Sequence, residues 1–209
     1  MKEGTHLTLS DGREILLQDD EDISLLLCSK HEIMYSHSFT CPSGGYGGGT
    51  LLLSPLERYL IFSFFSGESE EGFSLFQIED SRLVPLFDSE YFYGEGAGYL
   101  FSDDEGVLFQ SLLGGFGPWY VEDAYRDEEG APYFEYGEIN ILDVESQSLS
   151  RHKFHVYPSE AWEEEIDGPS YVSEITDGNI LHVTMPWGEE TLTLPLPETI
   201  VLHQDKEGS

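Results

Sequence analysis

The feature that most constrains the fold of this chain is a repeated pattern of strand, tight polar turn and strongly apolar strand. The pattern occurs at residues 6–17, 50–62, 98–109 and 171–183. Each turn opens with a hydroxyl residue, namely Ser10, Ser54, Ser102 and Thr176. The first three are 44 and 48 residues apart, and the fourth follows after 74. A recurring period of this length is typical of repeat architectures, and the longer last interval indicates an insertion.

Two further strand-like runs follow each of these hairpins. The runs are short, rich in β-branched and aromatic residues, and closed by Gly, Pro, Asp or Ser, and no window shows a convincing helical period. We therefore predict an all-β protein with about four antiparallel units of four strands each. The predicted units span approximately 5–40, 50–92, 97–158 and 170–204 of a single domain, 1–209.

The second hairpin carries a resemblance to a known architecture. Its sequence SPLERYLIFSFFSG, residues 54–67, resembles the S-P-D-G-x-Y-L-x-F hairpin of WD-repeat and related β-propeller families. The resemblance implies a propeller-like array of four-stranded blades, closed or partial. Gly-His and Trp-Asp signatures are missing, and Leu56-Glu57 stands where the families have Asp-Gly, so no functional residue is carried over. A β-sandwich or an irregular barrel is the alternative.

The charge of the chain restricts its partners. There are 41 Asp and Glu residues against 9 Lys and Arg, which gives a formal net charge of −32. Only a cationic protein can displace the counterions of nucleic acid or of an anionic membrane, so both partners are disfavoured for this acidic chain. A basic protein partner, a bound cation, or solubility alone, as in a salt-rich habitat, remains as the explanation of the charge, and a basic partner is favoured. The first residues lack the apolar run that a signal peptide contains. We therefore expect a cytoplasmic protein.

Two stretches suggest a phosphate-binding loop and a metal site, but neither has the residues or the spacing that such a site needs. The glycine-rich run at 41–50 has no Lys and precedes a strand, whereas a phosphate-binding loop needs Gly-Lys-Ser/Thr before a helix. His152 and His155 lie three apart on a predicted strand and would point to opposite faces, so they would not chelate a metal together. We predict no cofactor, no metal site and no catalytic residue.

The insertion at 118–138 is the strongest candidate for a binding site. It combines aromatic residues with carboxylates, which is the composition of interaction hot spots, and insertions in repeat folds map to loops that often bind. The alternative is that the rings only fold the loop back on its own unit. A second acidic loop, 157–168, carries a further tryptophan. The predicted partner-binding residues are Trp119, Tyr120, Glu122, Asp123, Tyr125, Asp127, Glu128, Glu129, Tyr133, Trp162, Glu163 and Glu164.

Three functional hypotheses follow from the sequence. The first is a non-catalytic acidic protein that binds a basic protein, by functional analogy with the immunity proteins that neutralise toxic nucleases. The second is a glycan-binding or hydrolytic propeller that uses paired carboxylates and aromatic rings. The third is a structural domain whose charge serves solubility alone.

Overall fold

The all-β prediction is confirmed. A computed structural model of the chain describes residues 1–19, 23–39, 48–66, 70–89, 92–93, 95–113, 124–158, 171–185 and 187–203. Within these ranges the regular elements are all strands, so no helix there could cross a membrane. The strands are β1 (Lys2–Gly4), β2 (His6–Thr8), β3 (Glu14–Asp19), β4 (Ile23–Ser29), β5 (Glu32–Ser38), β6 (Gly48–Leu53), β7 (Tyr59–Ser66), β8 (Glu70–Ile78), β9 (Leu83–Asp88), β10 (Phe92–Tyr93), β11 (Glu95–Phe101), β12 (Val107–Leu113), β13 (Tyr125–Arg126), β14 (Pro132–Asp143), β15 (Ser148–Tyr157), β16 (Tyr171–Thr176), β17 (Ile180–Met185), β18 (Gly188–Thr193) and β19 (Thr199–His203).

The chain divides into two compact units, Met1–Phe92 and Tyr93–Ser209. In the first unit, β2, β3, β4 and β5 form one antiparallel meander. A second sheet has the order β1-β6-β7-β8-β10, with β9 also paired to β8. One apolar cluster contains residues of both sheets, including Leu25 and Leu27 of β4 and Phe62 of β7, all of which are fully buried. Each such side chain contributes about 1.5–3 kcal/mol by leaving water, so this shared cluster holds the two sheets together.

The second unit is also built from two sheets around one core. The larger has the order β11-β12-β14-β15-β19, with β13 paired to β14, and the smaller is the meander β16-β17-β18. Their shared cluster includes Phe109, Phe154, Leu181 and Ile200. None of the sheets closes on itself within the described residues.

The last strand departs from the sequence prediction. Residues 199–203 were expected to complete a fourth antiparallel unit, but β19 instead pairs in parallel with β15, with Lys153 opposite Thr199 and Tyr157 opposite His203. The sheet of β16, β17 and β18 therefore has three strands, and the larger sheet gains one. At the other terminus β1 likewise joins β6 rather than the sheet of β2, the strand that follows it. The expectation of a single domain over 1–209 stays a prediction.

The repeat is reproduced in detail at two of the four turns. In the turn between β6 and β7, Tyr59 N donates to Ser54 Oγ over 2.9 Å, and Ser54 N donates to Tyr59 O. Ser102 and Val107 make the same pair of bonds between β11 and β12. Glu57 and Glu105 occupy the same position in the two turns, and each has a φ of 57°. These two turns are therefore one structural repeat.

The other two turns belong to different types. Asp177 and Gly178 have φ values of 51° and 71°, as the two central residues of a type I′ turn require, and Asn179 N donates to Thr176 O. The Ser10 turn is instead closed by a bond from Leu9 N to Arg13 O, with Gly12 at a φ of 84°. The four turns predicted to be equivalent thus comprise three geometries.

The glycine-rich run at 41–50 is described only at its end, where Gly48 and Gly49 open β6. A Cβ at Gly49 would lie 2.9 Å from Cζ of Phe62, a residue of the core. Glycine is needed there because the ring of Phe62 covers the backbone.

Candidate functional site

Five of the predicted partner-binding residues lie within the described part of the chain: Tyr125, Asp127, Glu128, Glu129 and Tyr133. The other seven, Trp119, Tyr120, Glu122, Asp123, Trp162, Glu163 and Glu164, lie outside the described residues. The described five belong to one β-hairpin, which consists of β13, a turn, and the start of β14. The segment 132–138, expected to be loop, is thus the first part of a twelve-residue strand.

The hairpin turn is organised by Asp127. Its backbone N–H donates to Ala131 O over 3.1 Å, and its Oδ1 accepts a hydrogen bond of 2.8 Å from Ala131 N. Gly130, at a φ of 85°, donates its N–H to Asp127 O. The turn fixes the register in which Tyr125 lies opposite Tyr133, and it leaves Glu128 and Glu129 exposed.

The ring of Tyr133 begins a row of aromatic contacts across the sheet. Its centroid lies 5.7 Å from that of Tyr125, 4.3 Å from that of His155 in a stacked arrangement, and 5.8 Å from that of Tyr157. Tyr157 continues the row to His203, at 5.0 Å. We call these five residues, Tyr125, Tyr133, His155, Tyr157 and His203, the aromatic strip. The strip spans four strands: β13, β14, β15 and β19.

Strand alternation places the strip on the outer face of the larger sheet. Successive side chains of a strand point to opposite faces. In β15, Phe154 and Val156 are fully buried in the core, whereas His155 and Tyr157 are half-buried. In β19 the same alternation buries Leu202 and exposes His203. The strip is therefore accessible, and Tyr125 at its end is 47% exposed.

Carboxylates border the strip. The Tyr157 hydroxyl donates a hydrogen bond of 3.0 Å to Oδ2 of Asp127. Oε2 of Glu135 lies 3.2 Å from Nζ of Lys153, and its Oε1 lies 3.8 Å from Nε2 of His155. Lys153 is thus a cation of the protein itself at this border, and Glu135 already pairs with it.

The surroundings of His155 and Tyr157 favour the neutral forms of these two rings. Partial burial lowers the pKa of His155 from its ordinary value, against an opposing effect of Glu135. Partial burial, together with the hydrogen bond to Asp127, raises the pKa of the Tyr157 phenol. Desolvation opposes ionisation of Asp127, but the hydrogen bonds from Ala131 N and the Tyr157 hydroxyl outweigh it and lower the pKa of that carboxyl. The surroundings therefore favour the uncharged forms of His155 and Tyr157 and the anionic form of Asp127.

Neutral π faces beside carboxylates attract cations. A guanidinium or ammonium group over a tyrosine ring gains about 0.5–1 kcal/mol at an exposed site, and a nearby carboxylate adds an ion pair. Arginine suits both contacts because its planar group stacks on rings and binds carboxylates through two N–H groups.

Sequence reasoning found Tyr125 and Tyr133 but missed His155, Tyr157 and His203. The missed residues lie in two strands that are distant in sequence, and only the pairing of β14 with β15 and of β15 with β19 brings them to the strip. The available signal was the alternation in KFHVY, residues 153–157, where polar and aromatic side chains share one face.

Comparison with known proteins identifies no family for this chain and finds a weakly similar solved structure. No protein-family model matches the chain, and no curated protein matches it. Among solved structures, the crystal structure of TolB from Acinetobacter baumannii is similar with a TM-score of 0.34 and 10% sequence identity. The match covers 94% of this chain but only 55% of that one, so this chain spans about half the length of the TolB structure. A likeness at this score supports no argument about function.

Proposed function

We propose that the protein is a non-catalytic binding protein that engages a basic protein partner through the aromatic strip and the carboxylates beside it. The observation that carries the proposal is the continuous row of rings from Tyr125 to His203, bordered by Asp127 and the exposed Glu128 and Glu129. Aromatic residues surrounded by charge form the energetic centre of many protein interfaces.

The net charge of the chain supports a basic partner. A charge of −32 attracts cationic proteins over distances of about a Debye length and speeds their association. The strip then supplies the short-range contacts that charge alone lacks. A partner that itself binds nucleic acid fits this chemistry, because the acidic protein would compete for the same basic surface.

We further propose that the four strand groups are propeller-like blades. Each group contains a run of three or four successive antiparallel strands, and the Ser54 and Ser102 turns make the same hydrogen bonds; both observations support this architecture. Loops and outer strands of blades are common binding surfaces, so the inserted hairpin would be an addition to one blade.

The experiment is affinity capture from the source cell at low and high salt, followed by titration of the purified captured protein. We expect a captured protein of high isoelectric point whose binding is lost at about 0.5 M salt, where charges are strongly screened. Tyr133→Ala should weaken binding by about tenfold or more, equivalent to about 1.4 kcal/mol.

Phe65→Ala is the matched control, since Phe65 is an exposed ring outside the strip. Glu128→Lys with Glu129→Lys should weaken binding more than Glu32→Lys, which also changes an exposed acid. The proposal would be contradicted if the protein captured a neutral ligand and bound it equally well at low and high salt. It would also be contradicted if Tyr133→Ala bound the partner with unchanged affinity.

A further inference from the structure

A cavity of about 440 Å³ lies within the second unit, away from the residues of the aromatic strip. It is lined by the turn between β11 and β12 and by the turn between β16 and β17. Its apolar lining includes Phe109, Ile175 and Leu194, and three aspartates, Asp103, Asp104 and Asp177, also line it. The volume falls in the range of about 300–1,000 Å³ that is usual for small-ligand pockets.

The first turn holds one of these carboxylates in a fixed position. Oδ1 of Asp104 accepts a hydrogen bond of 2.7 Å from Ser102 Oγ and one of 3.0 Å from Gly106 N. Ser102 Oγ in turn accepts from Val107 N over 3.0 Å. The hydroxyl that closes the repeated turn therefore also positions an acid of the cavity.

The second turn presents Asp177. Its type I′ geometry places Asp177 and Gly178 at the tip of the hairpin, with Asn179 N donating to Thr176 O over 3.2 Å. Asp103, Asp104 and Asp177 are all exposed, whereas Phe109 is 2% exposed and Ile175 and Leu194 are half-buried. The cavity is thus acidic at its mouth and apolar below.

We propose that this cavity binds an organic cation of the alkylammonium class, with its charge among the three aspartates and its aliphatic stem on the apolar lining. The described lining residues carry three carboxylates and no cationic side chain, so anions are disfavoured. A hydrated metal ion would gain nothing from Phe109, Ile175 and Leu194, whereas an aliphatic stem gains about 0.8 kcal/mol for each buried CH₂ group. The shared chemistry belongs both to a lysine side chain of another protein and to a free aliphatic diamine.

The test is to titrate the full chain with small-molecule probes. Binding is measured by NMR of the backbone amides and by calorimetry. The probes are n-hexylamine, n-hexanol as the uncharged control of equal length, and ammonium chloride as the charged control without a stem. We expect hexylamine to shift the amides of Gly106 and Gly178 and to bind about tenfold or more tightly than either control, which corresponds to about 1.4 kcal/mol.

Variants locate the site. Asp103→Asn with Asp177→Asn should reduce hexylamine affinity at least about tenfold, while Glu145→Gln, an exposed acid in the turn after β14, should leave it unchanged. Circular dichroism checks that both variants are folded. Equal binding of hexylamine by the double variant and the unmodified chain would overturn the proposal, and so would equal binding of hexanol.

Two additional probes distinguish the sources of the cation. Tighter binding of Nα-acetyl-lysine methylamide than of 1,5-diaminopentane assigns the cavity to a protein lysine, and the reverse order assigns it to a free diamine. Binding of neither overturns the proposal. The cavity and the strip share no residue, so the outcome here is independent of the outcome at the strip.

Discussion

The hydroxyl of Tyr157 in β15 donates a hydrogen bond of 3.0 Å to Oδ2 of Asp127 in the turn between β13 and β14. This bond fastens the inserted hairpin to the sheet at the point where the aromatic strip passes from Tyr133 to Tyr157. Asp127 thus makes two structural contacts: Oδ2 accepts from the Tyr157 hydroxyl, and Oδ1 accepts from Ala131 N and closes the turn.

Tyr157→Phe should raise the pKa of the Asp127 carboxyl toward its ordinary value. The substitution keeps the ring but removes one of the hydrogen bonds that lower this pKa, while the bonds from Ala131 N and Gly130 N persist. Carboxyl-carbon NMR during a pH titration measures the effect. Tyr133→Phe is the control and should leave the pKa of Asp127 where it is, and an equal rise in both variants would contradict the assignment.

Glu57 should contribute stability that depends on pH. Its Oε1 accepts from Nζ of Lys2 over 2.8 Å and its Oε2 from Ser10 N over 2.7 Å, and these contacts lower its pKa from the ordinary 4.5 to about 2. Because the folded pKa lies below the unfolded one, the stabilisation is complete above about pH 4.5 and is lost as pH falls toward 2. The difference in unfolding free energy between the unmodified chain and Glu57→Gln should shrink across this range.

Urea unfolding at several pH values measures that difference. Glu3→Gln, which changes an exposed acid of β1, is the control and should show no comparable dependence. A Glu57→Gln effect that is constant between pH 6 and 2 would contradict the role given to Lys2 and Ser10.

The sequence predicted strands and turns well because their signals are local. Alternation along β4 and β15 and the Ser-initiated turns at Ser54 and Ser102 depend on residues close together in the chain. The partner of β19 was not predictable in this way. The alternating residues of β19 would fit the edge of any sheet. Its pairing with β15 is favoured because it packs Ile200 and Leu202 into the core of the second unit.

The candidate site was predictable only in part for the same reason. Tyr125 and Tyr133 share one aromatic, acidic segment that stands out by composition, whereas His155 and His203 lie in ordinary strands. A register shift between Glu135 and Glu138 also changes which residues of β14 face outward, and no local pattern specifies it.

Ser54→Ala should destabilise the chain by about 1 kcal/mol or somewhat more. Ser54 is 2% exposed, and its hydroxyl accepts the hydrogen bond from Tyr59 N that closes the turn. Ser10→Ala is the control, since Ser10 opens a turn that resembles the Ser54 turn in sequence. The side chain of Ser10 is exposed, and its turn is closed by the bond from Leu9 N to Arg13 O instead. Ser10→Ala should change stability by less than about 0.5 kcal/mol. Equal losses in denaturant unfolding would contradict the distinction between the turns.

Ile200→Ala and Val201→Ala test the position of β19. Ile200 is 3% exposed in the core of the second unit, so its truncation should cost about 2–5 kcal/mol. Val201, the next residue, is 52% exposed on the outer face opposite His155, and its truncation should cost less than about 0.5 kcal/mol. Denaturant unfolding of the two variants measures both. Similar costs, or a larger cost at Val201, would mean that β19 does not lie on β15 in the register described, because a shift of one residue exchanges the two faces.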